Sequence, residues 1–295
     1  MDGPGIHVVC AADEQFALPL SVMMKSAAVH TTGRPLVFHV LTSGLRRGTR
    51  GRLERAIAPH GASFTLFQVP PSMLSEAVVS GHISAATYYR LLSDHAVPRD
   101  LTRVIYLDAD VVVTGDLQEL WTLDTGGRAL MAVPELGIGE HLRPYLARHA
   151  PGTESATAFF NAGVMLVDLV RWRGQRIGER ALEMIRTREV PLTFWDQDVL
   201  NIVAAGAWGP LPQRWNLIGA AAVPDAPPGI IHFNTHIKPW HRSSVHPARS
   251  LFFQYLDTVD WGWRRPVWLL TDPAVRKVRR GWHYAKRRLR ARAHQ

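Results

Sequence analysis

The 295-residue sequence has a single cysteine, Cys10, which excludes an internal disulfide. Because Cys10 lies in the apolar run 6–12, we expect a buried thiol with no chemical role. No apolar run approaches the roughly 20 residues that a membrane-spanning helix requires. The N-terminus also lacks the basic and apolar segments of a secretory signal. These features predict a cytoplasmic protein.

Two glycine-rich phosphate-binding motifs are also missing. The sequence contains neither Gly-x-Gly-x-x-Gly nor Gly-x-x-x-x-Gly-Lys. The first is the fingerprint of dinucleotide-binding folds, and the second is the phosphate loop of nucleoside triphosphatases. Any phosphate group must therefore be held by a metal ion and by side chains.

The order of segments along the chain predicts an α/β fold. At 33.0 kDa and 46% hydrophobic content, the chain can form one large globular domain with an appendage. Strand-like runs alternate with helical patterns in the first half, which is typical of a mostly parallel sheet with helices on its faces. The strand-like runs are 6–12, 36–42, 63–69, 103–107, 129–133 and 162–168, and the helical patterns are 17–30, 46–59, one from about Trp172, and 196–203.

The net charge of +9 is concentrated at the C-terminus. Residues 264–295 carry 11 Lys and Arg against one acid, Asp272, whereas the rest of the chain is close to neutral. We therefore divide the chain into a domain over 1–250 and a basic aromatic tail over 251–295. No nucleic-acid motif accompanies the charge, so we do not expect nucleic acid as a partner.

The tail has the pattern of an amphipathic helix with a basic polar face. Such a helix would lie on an anionic membrane surface, which makes the protein peripheral to the inner face of the membrane. The alternatives are a helix docked on the protein's own core and a solvated arm. The apolar stripe is Val275, Val278, Trp282, Ala285 and Leu289, and three tryptophans suited to a membrane interface precede it, Trp261, Trp263 and Trp268.

Two carboxylates interrupt the apolar run 104–113, Asp108 and Asp110. Burying an unpaired charge is costly, so a strand that ends in two carboxylates is expected to deliver them to a cation. In an extended segment residues i and i+2 project to the same side, so both could bind one ion, Mg²⁺, Mn²⁺ or Ca²⁺. The alternative without a metal is that Asp108 caps a turn and Asp110 is a solvated loop residue. Asp196 and Asp198 share this spacing within a helical pattern.

Six blocks of residues, in this order and spacing across 6–241, resemble the retaining nucleotide-sugar glycosyltransferases of family 8, which are related to glycogenin. The resemblance is closest to the bacterial lipooligosaccharide and lipopolysaccharide galactosyltransferases, and it implies a single GT-A-like nucleotide-binding domain. The blocks are Ala11-Ala-Asp13, His82-Ile-Ser-Ala-Ala-Thr-Tyr-Tyr-Arg90-Leu, Tyr106-Leu-Asp-Ala-Asp110, Phe160-Asn-Ala-Gly-Val164 with Trp172, Asp196-Gln-Asp-Val-Leu-Asn201 and His232-Phe-Asn-Thr-His-Ile-Lys-Pro-Trp240.

The resemblance implies a metal site and a donor site. Asp108, Asp110 and His232 would coordinate Mn²⁺, with Mg²⁺ as the alternative, since an imidazole beside two carboxylates favours the softer ion. Asp13 would accept a hydrogen bond from the uracil ring of a UDP-sugar. The other implied donor contacts are Ala11, Ala12, His82, Arg90, Ala109, Asn161, Asp196, Gln197, Asn234, Thr235 and Lys238.

The implied reaction moves a hexose, galactose or glucose, from UDP to a hydroxyl of a glycan or glycolipid. Gln197 and Asp196 are the catalytic candidates, but an amide is a poor nucleophile. We therefore favour an oxocarbenium-like transition state with attack on the face of the departing phosphate. The sequence departs from the family at Thr235, where a glycine is common, and at Ile237. Loops 137–155 and 220–229 are the expected acceptor pocket.

Two other functions fit the Asp-x-Asp pattern. A haloacid-dehalogenase-type phosphatase also places this motif after an apolar strand, although usually near the start of its domain. An inactive sugar-nucleotide-binding protein on the same fold would bind UDP-sugars without turnover. Phosphate release from simple esters would indicate the first function, and binding without hydrolysis would indicate the second.

Overall fold

The computed structural model describes residues 5–74, 85–135, 139–150, 152, 159–219 and 226–261. Its strands are β1 (Ile6–Ala11), β2 (Leu36–Thr42), β3 (Ser63–Gln68), β4 (Arg103–Asp108), β5 (Val111–Val113), β6 (Leu130–Glu135), β7 (Phe159–Asp168), β8 (Trp208–Pro210), β9 (Leu217–Ile218) and β10 (Ile230–His232). Its α-helices are α1 (Ala17–His30), α2 (Arg47–Ile57), α3 (Leu117–Trp121), α4 (Arg143–His149), α5 (Leu169–Gly174), α6 (Ile177–Thr187), α7 (Asp196–Val203) and α8 (Arg249–Leu256). Short 3₁₀ segments cover Ala58–His60, Pro71–Leu74, Ala85–Leu92, Glu140–Leu142 and Gln213–Asn216.

The central sheet has seven strands in the order β3-β2-β1-β4-β7-β6-β8. Strands β3, β2, β1 and β4 are parallel, β7 runs antiparallel to both β4 and β6, and β8 is parallel to β6. The expected mostly parallel α/β sheet is confirmed. The carboxyl ends of β1, β4 and β6 therefore meet at one edge, which is where open α/β sheets bind ligands.

Alternate residues of each central strand enter two different hydrophobic cores. On β4, Ile105 and Leu107 join the core with α1, α2 and α8, whereas Val104 and Tyr106 join the core with α5, α6 and α7. This is the two-residue period expected of a sheet covered on both faces. Cys10 is fully buried on the first face, and burial raises the pKa of its thiol, so the expectation of an unreactive thiol agrees with its environment.

A second, three-stranded sheet in the order β5-β10-β9 lies beside the end of β4. The apolar run 104–113, read as one extended segment, is in fact two strands separated by a two-residue turn at Ala109 and Asp110. Strand β10 pairs antiparallel with β5, which sets His232 opposite Val111. This pairing brings a residue about 120 positions away in sequence next to the turn.

The C-terminal segment packs on the domain as far as the structure describes it. Helix α8 contributes Phe252 and Leu256 to the first core, and Trp261 is only 1% exposed there. The expectation that Trp261 serves a membrane interface is therefore wrong, because its ring packs in the protein's own core and makes a cation–π contact with Arg52. Trp263, Trp268 and the basic helix predicted over the tail lie outside the described residues. No helix in the described ranges is long and apolar enough to cross a membrane.

A histidine pair, half-buried His7 and buried His39, joins β1 to β2. Nδ1 of His7 lies 3.0 Å from Nε2 of His39, and Nδ1 of His39 lies 3.2 Å from Oγ1 of Thr65. Burial lowers the pKa of His39 to about 4, and the neighbouring His7 adds to the shift. The folded state therefore holds His39 neutral at a pH where the unfolded chain would already bind a proton.

This shift predicts a pH-dependent stability. Since the unfolded state binds more protons, the free energy of unfolding falls as pH decreases from about 6.5 to about 4, by up to about 3 kcal/mol for this group. The variant His39→Gln lacks the titrating group, so its urea-unfolding stability falls less over the same pH range. Parallel stability curves for the parent and the variant would contradict a buried neutral His39.

Candidate active site

Asp108 and Asp110 lie where β4 ends at the carboxyl edge of the sheet. Asp108 is the last residue of β4, and Asp110 lies in the turn before β5, so the turn and not a continuous strand brings the two carboxylates together. The two carboxylates do converge as predicted, but a turn brings them together and not the alternation of side chains along one strand. The hydroxyl of Tyr106 donates to Oδ1 of Asp108 at 2.9 Å. Burial raises the pKa of this hydroxyl well above its usual range.

His232 faces both carboxylates. Its Nε2 atom lies 3.3 Å from Oδ1 of Asp110 and 3.7 Å from Oδ2 of Asp108. One ligand atom from each of these three residues can be chosen so that all lie within 4.8 Å of one another. Nδ1 of His232 lies 2.9 Å from Oδ1 of Asn216, which holds the ring with Nε2 toward the carboxylates. A hydrogen bond of this kind on the far nitrogen is typical of metal-binding histidines.

Gly163 leaves the room that His232 occupies. A Cβ atom at this position would lie 2.2 Å from Cε1 of His232 and 2.8 Å from Oδ2 of Asp108. Real Cβ atoms do not make contacts this short, so any side chain here would push the imidazole or the carboxylate away. The glycine in the block 160–164 therefore has a steric function in this cluster.

Arg90 links the half-buried carboxylate of Asp108 to the buried carboxylate of Asp196. One guanidinium nitrogen, Nη2, lies 3.0 Å from Oδ1 of Asp108, and Nε lies 2.6 Å from Oδ2 of Asp196. Burial raises the pKa of Asp196 to about 6 even though Arg90 opposes the shift, and the charge of Asp108 adds to it. For Arg90, burial would lower the pKa of the guanidinium, but the carboxylates outweigh it and raise the value. Arg90 is therefore a permanent cation at the centre of the site.

Lys238 compensates the charge of Asp110 from the other side. Its ammonium group lies 2.5 Å from Oδ2 of Asp110 and donates to the carbonyl oxygen of Phe233 at 2.7 Å. Burial alone would raise the pKa of Asp110, but Lys238 and His232 hold it well below its usual range. Asp110 is thus ionised at any physiological pH.

Two adjoining cavities share Arg90, Asp108 and Asp110. The first, of about 200 Å³, lies at the end of β1. Asp13 lines it, and Oδ1 of this carboxylate accepts hydrogen bonds from the backbone of Gln15 at 2.9 Å and of Phe16 at 3.0 Å. One oxygen of Asp13 thus caps the turn that follows β1. The predicted site residues that line this cavity are Ala11, Ala12, Asp13, Arg90, Asp108, Ala109 and Asp110.

The second cavity, of about 240 Å³, lies between β7 and the start of α7. Glu135 is its organising residue, since Oε2 accepts from the amide of Asn161 at 3.0 Å and lies 3.4 Å from the amide nitrogen of Gln197. Asn161 also accepts from Asn216 at 2.9 Å, which connects this cavity to the support of His232. The predicted site residues that line it are Arg90, Asp108, Asp110, Asn161, Asp196, Gln197, His232 and Asn234.

The remaining predicted residues differ in where they lie. Thr235 is exposed, and its hydroxyl donates to the carbonyl oxygen of Ile237 at 2.9 Å, so its side chain is engaged within its own loop. His82 lies outside the described residues, as do parts of the two predicted acceptor loops, 137–155 and 220–229. Asn234 does line the second cavity, and its Oδ1 atom is buried without a hydrogen-bond donor within the described structure.

Several residues of the site were not predicted from the sequence. Glu135 is the last residue of β6 and lies at the same edge as Asp108, and an acid at a strand's carboxyl end is a signal that could have identified it. Asn216 lies in a 3₁₀ segment with no motif of its own. Phe194 and Trp195 line the second cavity just before α7. Their aromatic side chains could equally have belonged to a core.

The fold is that of a glycosyltransferase. The structure of the galactosyltransferase LgtC in complex with donor and acceptor sugar analogs is similar to this chain, with a TM-score of 0.75 and 26% sequence identity, over 86% of this chain and 96% of that protein. The central sheet is accordingly the GT-A type of nucleotide-binding α/β domain.

The chain belongs to glycosyl transferase family 8, whose sequence model matches residues 7–244. It is 29% identical over 276 residues to General stress protein A of Bacillus subtilis, covering 87% of this chain and 94% of that protein. It is 26% identical over 272 residues to lipopolysaccharide 1,3-galactosyltransferase of Salmonella typhimurium, covering 88% of this chain and 80% of that protein. The resemblance inferred from the six sequence blocks is confirmed, and the phosphatase alternative is overturned.

Proposed function

We propose that this protein is a metal-dependent, retaining hexosyltransferase that moves galactose or glucose from a UDP-sugar to a hydroxyl of a glycan or glycolipid. The observation that carries the proposal is the Asp108, Asp110 and His232 cluster, whose ligand atoms converge between two cavities large enough together for a nucleotide-sugar. Relatives that act on lipopolysaccharide support the choice of hexose and acceptor.

The donor set fits a divalent ion that accepts both oxygen and nitrogen ligands. Two carboxylates and one imidazole leave positions for the diphosphate oxygens of the donor, and Mn²⁺ suits this mixture better than Mg²⁺. The bound ion would supply electrostatic stabilisation of the departing diphosphate. Asn216 fixes the imidazole orientation and Gly163 provides its space, so the cluster is supported by its surroundings.

The chain's own residues would divide the remaining work. Lys238, whose ammonium group contacts Asp110, would also contact the diphosphate. Asp13, which lines the first cavity, would accept a hydrogen bond from the uracil ring. The polar groups of Asn161, Asp196 and Gln197, which line the second cavity, would bind the sugar hydroxyls. Since the amide of Gln197 is a weak nucleophile, we favour a loose transition state in which the leaving phosphate accepts the acceptor's proton.

A donor screen tests this proposal. The protein is incubated with Mn²⁺ and each common nucleotide-sugar, and release of free nucleotide is recorded. We expect slow hydrolysis of UDP-galactose or UDP-glucose, because water can replace an absent acceptor. Hydrolysis of a non-uridine donor alone would contradict the role of Asp13. Binding of UDP-sugars with no turnover to water or any acceptor would show an inactive binding protein.

We also propose that the basic tail holds the protein on an anionic membrane surface, where a glycolipid acceptor would be found. The support is the charge of residues 264–295 and their apolar stripe. In a flotation assay the full chain is expected to bind vesicles that contain phosphatidylglycerol and to be released by high salt. Equal binding to neutral phosphatidylcholine vesicles, or none to either, would contradict this.

A further inference from the structure

Trp195 has a backbone conformation that a bulky residue adopts only at a cost. Its dihedral angles are φ 48° and ψ −112°, and the N–H of Gln197 donates to the carbonyl oxygen of Phe194 at 3.0 Å, closing a turn around it. These angles match the first central residue of a type II′ turn, a position dominated by glycine. Arg176 and Arg188 also have positive φ, but with ψ of 39° and 33° they fall in the ordinary left-handed region.

The surrounding residues hold this strained turn in place. The buried carboxylate of Asp198 accepts hydrogen bonds through Oδ2 from the backbone N–H groups of Thr193 at 2.6 Å and Phe194 at 2.7 Å. Nε2 of His141 lies 3.2 Å from the same oxygen. Because glycine would fit the turn with less strain, the indole has a use that its local backbone does not explain.

The position of the ring indicates that use. Trp195 lines the second cavity and is 38% exposed, whereas its neighbour Asp196 is 3% exposed. Trp195 therefore lies at the solvent side of the cavity and Asp196 at its floor. Trp195 does not line the first cavity, where Asp13 lies. The second cavity is also lined by the proposed metal ligands, so the partly exposed indole lies in the same cavity as the metal cluster.

The cavity combines an apolar surface with planar polar groups. Glu135 and the amides of Asn161 and Gln197 can bind hydroxyl groups, and the indole offers a flat apolar face. A pyranose ring has matching features, since its C–H bonds form an apolar face and its hydroxyls form a polar rim. An acyclic polyol has the hydroxyls without the rigid apolar face.

We propose that Trp195 is a specificity-determining residue, whose indole stacks on a pyranose ring of the acceptor. This inference rests on the proposed function, because it assigns the acceptor side of the same site. The proposal implies that the acceptor is a pyranoside whose sugar ring packs against the indole. The strained turn places the indole next to Asp196 and Gln197, so acceptor binding and the transfer site share one structural support.

The experiment uses the full chain with Mn²⁺ and the UDP-sugar that it hydrolyses. Lactose and the methyl glycosides of glucose and galactose serve as acceptors, and sorbitol serves as the acyclic control. We expect at least one pyranoside to be a substrate and sorbitol to be inactive. Trp195→Ala and Trp195→Gly should raise the acceptor KM by about tenfold, and Trp195→Phe should stay within about threefold of the parent. In the alanine and glycine variants the acceptor KM should change more than the rate of donor hydrolysis.

A thermal comparison separates this role from a structural one. Both Trp195→Ala and Trp195→Gly remove the ring, but only glycine relieves the turn, so the glycine variant should melt about 2–4 °C above the alanine variant. The proposal is overturned if the alanine variant keeps the parent's acceptor KM, if it melts above the glycine variant, or if an active parent transfers to no pyranoside. A parent that hydrolyses no UDP-sugar would instead overturn the proposed function.

Discussion

Asp108→Asn and Asp110→Asn are each expected to reduce hexose transfer by about 10³-fold or more. Each change removes one negative ligand from the cluster and keeps the shape of the side chain. Asp108→Asn also removes one of the two carboxylates that Arg90 contacts, and Asp110→Asn removes the carboxylate 2.5 Å from Lys238. The measurement is UDP release from the active donor, with and without acceptor, at saturating Mn²⁺.

Asp100→Asn is the matched control for these two variants. Asp100 is exposed, and it has the same substitution chemistry as the two site residues. Its variant should retain the parent's rate. Parent-like turnover in either Asp108→Asn or Asp110→Asn would refute the metal assignment, and loss of activity in the control would show that the assay reports general damage.

Gly163→Ala is expected to reduce transfer by about 10²-fold through a single added methyl group. The methyl carbon would need to occupy space 2.2 Å from Cε1 of His232 and 2.8 Å from Oδ2 of Asp108. His232 is buried and hydrogen-bonded to Asn216. The clash with the new methyl group can therefore be relieved only by moving His232 or Asp108, which are both proposed metal ligands. The loss should therefore appear as a weaker apparent affinity for Mn²⁺, measured by titrating the metal in the hydrolysis assay.

Gly174→Ala controls for the general effect of replacing a glycine. A Cβ atom at Gly174 would meet nothing within 4 Å, and its φ is not in the left-handed region. This variant should match the parent in rate and in Mn²⁺ dependence. If Gly163→Ala keeps the parent's Mn²⁺ dependence while its fold is intact, then His232 is not held against the ion as proposed.

Local sequence was sufficient to predict the acidic part of the site. Asp108 and Asp110 are adjacent to an apolar strand whose length and composition mark it as central in the sheet, and their position at its end follows from the direction of the chain. Even there the turn at Ala109 was missed, because Val111–Val113 continues the same β-branched pattern although it pairs with β10 in another sheet. A residue pattern does not specify which sheet a strand joins.

The rest of the site depends on contacts distant in sequence. His232 could be assigned only through the family resemblance, since its approach requires pairing between β10 and β5 and the space left by Gly163. Glu135 and Asn216 act through hydrogen bonds to Asn161, which no spacing rule connects. Trp261 was misassigned because an exposed and a buried tryptophan have the same letter in a sequence, and only packing with α8 and Arg52 distinguishes them.

The most direct test of the metal-bridged donor site is a calorimetric titration of UDP into the full chain with Mn²⁺ and again with EDTA. If Asp108, Asp110 and His232 hold an ion that contacts the diphosphate, UDP should bind with Mn²⁺ and lose at least about tenfold in affinity without it. Asp110→Asn should then bind UDP equally weakly under both conditions. Equal affinity of the parent with Mn²⁺ and with EDTA would contradict a metal ion between the cluster and the diphosphate.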